Sequence, residues 1–130
     1  MQLIEPIDIE DALRIDLGAN LPYRVMAQPI PPDLMAGDVI VYSLGGQKTS
    51  EVTNSYDVSI DCYAADEAAA VLMANEVYSV FNSLPVRETA TQYNETRANI
   101  AYSNHDQRAP QLARRTFRGA AIVPGTRLEF

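Results

Sequence analysis

Cysteine and histidine are almost absent from this chain, and each absence removes a class of function. One cysteine in 130 residues excludes an internal disulfide framework. Cys62 alternates with Tyr56, Val58 and Ile60, so we expect its thiol to be buried and inert. The single histidine, His105, excludes metal sites that need two histidines, and the chain contains no Cys-x-x-Cys pair.

Long apolar runs and a surplus of basic residues are also missing. No segment approaches the ~20 apolar residues of a membrane span. The first six residues, MQLIEP, are short and acidic, so we expect no signal peptide. The net charge of -7 argues against general nucleic-acid binding, which needs lysine and arginine to displace phosphate counterions. We therefore expect a cytosolic protein that does not bind membranes and is not a general nucleic-acid-binding protein.

Motifs for catalysis and cofactor binding are missing too. Gly45–Thr49 superficially resembles a phosphate-binding loop, but such a loop has glycine directly before its lysine and a helix directly after it. Here Gln47 precedes Lys48, and the residues that follow have the pattern of a strand. Turn chemistry is enough to explain the segment that contains His105. We predict no enzymatic activity, no metal and no cofactor.

Two amphipathic helices are predicted. The first runs from Asp8, a favoured N-cap, to Gly18, a favoured stop. The second runs from its cap Asp66 to Leu84, and Pro85 ends it. Apolar residues recur at helical spacing in both helices, as Ile9, Leu13 and Leu17 in the first and as Met73, Val77, Val80, Phe81 and Leu84 in the second.

Strand-like segments surround the second helix. They are Tyr23–Ala27, Asp38–Leu44, Glu51–Tyr63, Thr91–Ser103, with a slip of register near Glu95–Arg97, and Gln111–Val123. We interpret Gly45–Ser50 as a flexible loop, either a hairpin-like tip or a mobile arm. The tail after Gly125 is expected to fray or to dock on a neighbour. These elements predict a single α+β domain over residues 1–130, with a mixed or antiparallel sheet flanked by two main helices.

Arginine is concentrated near the C-terminal end, and nine of the ten basic residues are arginine. On the last predicted strand Arg114 and Arg118 share one face and Arg115 lies on the other, while Arg97 belongs to a neighbouring strand. Because interfaces favour arginine over lysine, this strip favours self-assembly of a basic edge against an acidic edge. The alternative is a cross-strand charge ladder within one subunit, and both can hold. The predicted contact residues are Arg97, Arg114, Arg115, Arg118, Asp57 and Asp61.

Two stretches of the sequence also resemble a known family. They are Tyr56–Ala64, which has the sequence YDVSIDCYA and directly precedes the second helix, and Arg114–Val123, which has the sequence RRTFRGAAIV. Together with the order of the elements, they resemble the tail terminator proteins of long-tailed bacteriophages, also described as tail-to-head joining or minor tail proteins. The resemblance covers roughly Ile7 to Val123. It rests on these two local sequences and on the order of the predicted helices and strands.

This resemblance implies a structural virion protein. Such proteins form a ring, usually a hexamer, on the last ring of the major tail tube protein, where the ring stops tube polymerisation and offers a surface to the head connector or stopper protein. DNA passes through the lumen without specific binding. The implied location is the head-proximal end of the tail, after assembly in the host cytoplasm. The loop expected to contact the tube or connector comprises Gly45, Gly46, Gln47, Lys48, Thr49 and Ser50.

Two other functions remain open from the sequence. A head-completion or connector protein of the same virion would have a similar length and acidity. A small enzyme or ligand-binding domain would need a deep pocket with converging polar groups, for which His105 or Asp61 would be the centre.

Overall fold

The structure, a computed structural model, describes residues 2–129 and the side chains of residues 5–125. The elements follow in the order β1 (Gln2–Glu5), α1 (Ile9–Gly18), β2 (Arg24–Ala27), β3 (Asp38–Lys48), β4 (Thr53–Ala64), α2 (Glu67–Ser83), β5 (Glu95–Ala98), β6 (Tyr102–Ser103), β7 (Ala113–Pro124) and β8 (Thr126–Glu129). A short 3-10 turn, Leu84–Val86, follows α2.

The main sheet has six strands in the order β2-β3-β4-β7-β5, and β6 pairs with β7 beside β5. The strands β2 and β3 are parallel, whereas every other pair in this sheet is antiparallel. The strands β1 and β8 form a separate antiparallel pair. The sheet is therefore mixed, and the predicted α+β class is confirmed.

Both helices begin and end where local chemistry predicts. The Asp8 carboxylate accepts a hydrogen bond from the Asp11 amide at 3.2 Å, which caps α1. The Asp66 carboxylate accepts from the Ala69 amide at 2.8 Å, which caps α2. Pro85 lies in the 3-10 turn directly after α2, where it does not continue the α-helix.

The core lies between the two helices and one face of the sheet. The predicted apolar positions of both helices are buried, and they pack against alternate residues of β3, β4 and β7. Cys62 belongs to this core and is fully buried, as predicted. Burial raises the pKa of its thiol far above the ordinary value, so the thiol stays protonated and unreactive.

The loop predicted at Gly45–Ser50 is wrong in its first part, because β3 continues to Lys48 and the hairpin turn follows it. The register between β3 and β4 shifts between Ser43 and Gly46, which marks a β-bulge. Gly45 has φ +96°, and a Cβ on Gly46 would lie 2.0 Å from a backbone oxygen of β4. Both glycines are therefore required by a bulge within a strand.

Two further predictions need correction. The segment Thr91–Ser103 forms two short strands, β5 and β6, and the break between them lies after Ala98 rather than near Glu95–Arg97. The tail after Gly125 forms β8, which pairs with the chain's own β1. The last residue, Phe130, lies outside the described residues.

Candidate functional site

The sheet face opposite the helices carries most of the predicted site residues, and we call it the back face. Cross-strand register sets Arg118 opposite Ser59 and Thr116 opposite Asp61, which leaves Arg115 and Phe117 on the helix side. The predicted division of these arginines between the two faces is confirmed, because alternate residues of a strand point to opposite faces.

Residues 104–112, which we call the strap, cross part of the back face. The backbone N–H of Asn104 donates a hydrogen bond to the backbone carbonyl of Arg114 at 2.9 Å. Under the strap, the Tyr63 ring is fully buried, and its hydroxyl donates to Asp106 Oδ2 at 2.8 Å. Burial and this hydrogen bond raise the pKa of Tyr63. The sequence predicted only a turn here, and the strap also covers a tyrosine.

A buried ionic cluster joins the strap to the sheet. The Nη1 atom of Arg114 lies 3.4 Å from Asp61 Oδ2 and 3.4 Å from Asp106 Oδ2. Thr116 donates its hydroxyl to Asp61 Oδ1 at 2.7 Å. Arg108 donates to both oxygens of Asp106, each at 3.0 Å. Both carboxylates are almost fully buried and paired, as buried charges must be.

The two carboxylates of this cluster respond to their surroundings in opposite ways. Burial raises the pKa of Asp61, although Thr116 and Arg114 oppose the shift. Hydrogen bonds from Arg108 lower the pKa of Asp106 well below its ordinary value. Of the two carboxylates, Asp106 is therefore the one whose charged form is favoured in the folded protein.

Acid unfolding should report this difference. A lowered pKa at Asp106 contributes stability above the unfolded pKa of about 3.9, and that stability is lost as the pH falls through and below this value. The raised pKa of Asp61 acts with the opposite sign, because it adds stability as the carboxylate takes up its proton. We expect Asp106→Asn to flatten the loss of melting temperature below about pH 5, and Asp61→Asn to steepen it. If the melting temperature fell equally steeply with decreasing pH in both variants, the opposite pKa shifts of Asp61 and Asp106 would be contradicted.

Arg114 and Arg115 thus have partners within their own subunit. Arg115 lies on the helix side, where Nη2 donates to the Ala101 carbonyl at 3.1 Å and Nη1 lies 3.9 Å from the Glu67 carboxylate. Asp61 is buried and bonded by Thr116. The pair of Arg114 with Asp61 is a cross-strand ion pair of the kind expected for a charge ladder within one subunit, whereas Arg115 contacts a backbone carbonyl and a residue of α2.

Arg97, Arg118 and Asp57 remain exposed on or beside the back face. The side chain of Arg97 is 75% exposed, and its Nε atom lies 3.1 Å from Oε1 of Glu95. Among residues 5–125, Arg118 and Asp57 form no ion pair. All three line an open depression of about 760 Å³ in which Ala120 separates Asp57 from Arg97. These charges are available to another molecule.

The tip of the β3–β4 hairpin is a second exposed feature. Residues 43–52 are all exposed. Three hydroxyls order the turn, because the Thr53 hydroxyl lies 2.8 Å from that of Thr49 and 2.7 Å from that of Ser50. The predicted hairpin-like tip is confirmed, but it comprises residues 49–52 and not the two glycines.

Sequence reasoning missed Asp16, which is 2% exposed at the inner face of α1. Its carboxylate accepts hydrogen bonds from the Ala90 amide at 2.8 Å and the Thr91 amide at 3.2 Å, and from the Tyr93 hydroxyl at 2.8 Å. Burial is the main cause that raises the pKa of Tyr93, and the hydrogen bond from its hydroxyl to Asp16 raises the pKa further. Asp16 thus holds the connection between α2 and β5, and no local pattern marks it.

Chemically reactive groups do not converge in the described part of the chain. Cys62 is buried, and His105 is exposed on the strap. Neither His105 nor Asp61 lines the 760 Å³ depression. Within residues 5–125 no group of three or more His, Cys, Asp or Glu side chains could hold a metal ion. No helix in the same range has the length and apolar character needed to span a membrane.

Comparison with known proteins identifies the fold. No family model matches the chain, and no curated protein matches it. Among solved structures, the chain is similar to one from the virion of a native gene transfer agent (GTA) particle, with 20% sequence identity and a TM-score of 0.50. The similarity covers 88% of this chain and 90% of that chain, so the two share a fold over nearly their full lengths.

Proposed function

We propose that the protein is a structural component of a virion. In this role its subunits form a ring on the end of the tail tube, stop tube polymerisation and provide the surface for joining the head. The observation that carries the proposal is the fold shared with a chain of a GTA virion over about nine-tenths of both chains. The resemblance of Tyr56–Ala64 and Arg114–Val123 to tail terminators points to the same class of protein.

The distribution of charge on the surface is suited to a ring. A closed ring needs head-to-tail contacts, in which one patch of a subunit meets a different patch of the next. Arg97, Arg118 and Asp57 form one patch of mixed charge. Against a complementary patch of the neighbouring subunit, these charges can fix the register of the contact and disfavour wrong pairings. The buried cluster around Arg114 supports this role indirectly, because it holds the strand that presents Arg118.

The hairpin formed by β3 and β4 is the proposed contact with the tail tube or the head connector. Gly45–Ser50, which contains its lysine, is exposed, and the turn that closes it is ordered by hydroxyl hydrogen bonds. The net charge of -7 also suits a protein whose lumen lets DNA pass without holding it, since like charges repel.

Removing the exposed arginines should weaken assembly. We expect the double variant Arg97→Gln/Arg118→Gln to raise the dissociation constant between subunits about tenfold or more, because close charge pairs across an interface contribute about 1.5 kcal/mol or more. Native mass spectrometry across a range of concentrations and electron microscopy of mixtures with isolated tail tubes would measure this. The matched control is Arg87→Gln, which removes an exposed arginine that directly follows the 3-10 turn after α2.

Localisation in partly assembled particles tests the finer role. A tail terminator remains with isolated tails, whereas a head-completion protein remains with DNA-filled heads. A protein that stays monomeric at all concentrations and salt conditions, and that binds neither tails nor heads, would contradict the proposed function.

A further inference from the structure

One end of the main sheet has two free edges. The strand β2 pairs with β3 only along Asp38–Val41. The Gly46–Lys48 end of β3 pairs with β4 on its inner side, and no strand within residues 2–129 pairs with its outer edge. On the other side, β5 pairs with β7 along Glu95–Ala98, and no strand in residues 2–129 pairs with the outer edge of β5. At this end the sheet therefore consists of four strands, β3, β4, β7 and β5.

The directions of these four strands alternate. Each neighbouring pair, β3 with β4, β4 with β7 and β7 with β5, is antiparallel. If a second copy is placed beside the first in the same orientation, its β3 therefore runs antiparallel to β5 of the first. The two free edges are compatible with an antiparallel ladder between copies arranged head to tail.

Backbone groups on both edges point outward. Thr49 donates its amide to the Thr53 carbonyl, so by alternation the amides of Gly46 and Lys48 point away from β4. Asn99 donates its amide to the Arg118 carbonyl, so by the same rule the amides of the alternate residues in β5 point away from β7. Those residues are Thr96 and Ala98.

The outward residues of the two edges also lie on the same face. Gly46 and Lys48 are in register with helix-side residues of β4, and Thr96 and Ala98 are in register with helix-side residues of β7. Pairing them would keep the helices of all copies on one side and join their back faces into one surface. The glycine bulge limits the available edge of β3 to a few residues, which is how natural sheets restrict uncontrolled edge pairing.

We propose that subunits assemble by edge-to-edge pairing, in which β5 of one copy adds antiparallel to the Gly46–Lys48 end of β3 in the next. This inference rests on the proposed ring-forming function and names the contact that builds the ring. The arginines at the depression then lie beside the joint, because Arg97 belongs to β5 itself. The occupant of each free edge is a second copy of this chain.

Removing the backbone N–H of Lys48 tests the proposed pairing of β5 with β3 between copies. Lys48→Pro removes an N–H that points away from β4, so the internal ladder is retained, and proline is tolerated at such edge positions. We expect this variant to keep the melting temperature of the wild type within a few degrees and to raise the subunit dissociation constant at least tenfold. The matched control is Lys48→Ala, which loses the same charge and keeps the amide. In the absence of tail tubes, its subunit dissociation constant should equal that of the wild type.

Cross-linking provides a second measurement that does not depend on the proline variant. In a register that sets Lys48 opposite Thr96, Gln47 faces Arg97 as a close, non-hydrogen-bonded pair, with about 4.5 Å between Cα atoms. That distance suits a disulfide. We expect Gln47→Cys/Arg97→Cys, or Gln47→Cys/Glu95→Cys if the register shifts by two residues, to give a ladder of covalent oligomers on oxidation.

The control pair for cross-linking is Gln47→Cys/Ser103→Cys, because β6 lies at the other end of β7 and should give no ladder. Native Cys62 is buried and does not compete. Edge pairing is overturned, and the proposed function stands, if the wild type and Lys48→Pro both assemble and if neither Gln47→Cys/Arg97→Cys nor Gln47→Cys/Glu95→Cys cross-links. If the wild type neither self-assembles nor binds tails, both fail. If Lys48→Pro does not fold, the cross-linking result alone decides.

Discussion

Replacing Arg114 with methionine is expected to lower the free energy of unfolding by about 3–5 kcal/mol, because it leaves buried charge without a partner. The side chain of Arg114 is 14% exposed, and it is the ionic bridge between Asp61 and Asp106, whose side chains are 7% and 5% exposed. Methionine fills much of the same volume, so the change reports the lost charge more than lost packing. Urea denaturation at neutral pH measures the effect.

A matched surface pair serves as the control for Arg114→Met. Arg14 is bonded to Asp11 at 2.7 Å, but both side chains are about half exposed. Arg14→Met should change the free energy of unfolding by less than about 1 kcal/mol, as is usual for exposed ion pairs. Adding Asp61→Asn to Arg114→Met should recover part of the lost stability, since it removes one unpaired buried charge. A loss below about 1 kcal/mol for Arg114→Met would show that the cluster contributes no more than a surface pair.

Replacing Asp16 with alanine should destabilise the protein by about 3 kcal/mol or more. The substitution removes the acceptor of two amides and of the Tyr93 hydroxyl, and a buried donor left unpaired costs about 1–3 kcal/mol. Hydrogen exchange should locate the loss, because the amides of Ala90 and Thr91 depend on this carboxylate. Their protection should fall more than that of the central strands.

The control for Asp16→Ala removes one bond of the three. Tyr93→Phe deletes only the hydroxyl that donates to Asp16 and should cost about 1.5–3 kcal/mol, the usual range for a hydrogen bond to a charged group. If Asp16→Ala cost no more than Tyr93→Phe, the two amides would have found other acceptors, and the anchoring role assigned to Asp16 would be wrong.

Features governed by local chemistry were predictable from the sequence. The caps Asp8 and Asp66 and the stop at Pro85 act within one turn of their helices, so their effect can be read from neighbouring residues. The alternation Tyr56, Val58, Ile60 and Cys62 likewise needs only the two-residue period of a strand. These patterns were enough for the α+β class and for the buried thiol.

The glycine pair shows why local signals can mislead. Gly45 and Gly46 are typical of a loop, but their conformational freedom serves equally well in a bulge. The choice is made by β4, because Ser55 in that strand supplies the carbonyl oxygen that leaves no room for a side chain on Gly46. That contact cannot be read from the residues around the glycines.

The predicted interface residues divide for the same reason. Arg114 and Arg118 share a strand face and have the same side chain, yet Arg114 is largely covered and contacts two buried carboxylates, whereas Arg118 is exposed. The difference is the strap, which covers the sheet above Arg114 and brings Asp106 to it. Charge and spacing were visible in the sequence, but the covering loop was not.

The sequence alone determined the extent and type of the long helix, the alternating central strands, the burial of Cys62 and the arginine-rich final strand, because each depends on residues within a few positions of one another. Only the tertiary structure decided which charges are used internally, that Asp16 anchors a distant connection, and that two sheet edges remain free at one end. These features depend on segments tens of residues apart meeting in space, and no short-range pattern records such a meeting.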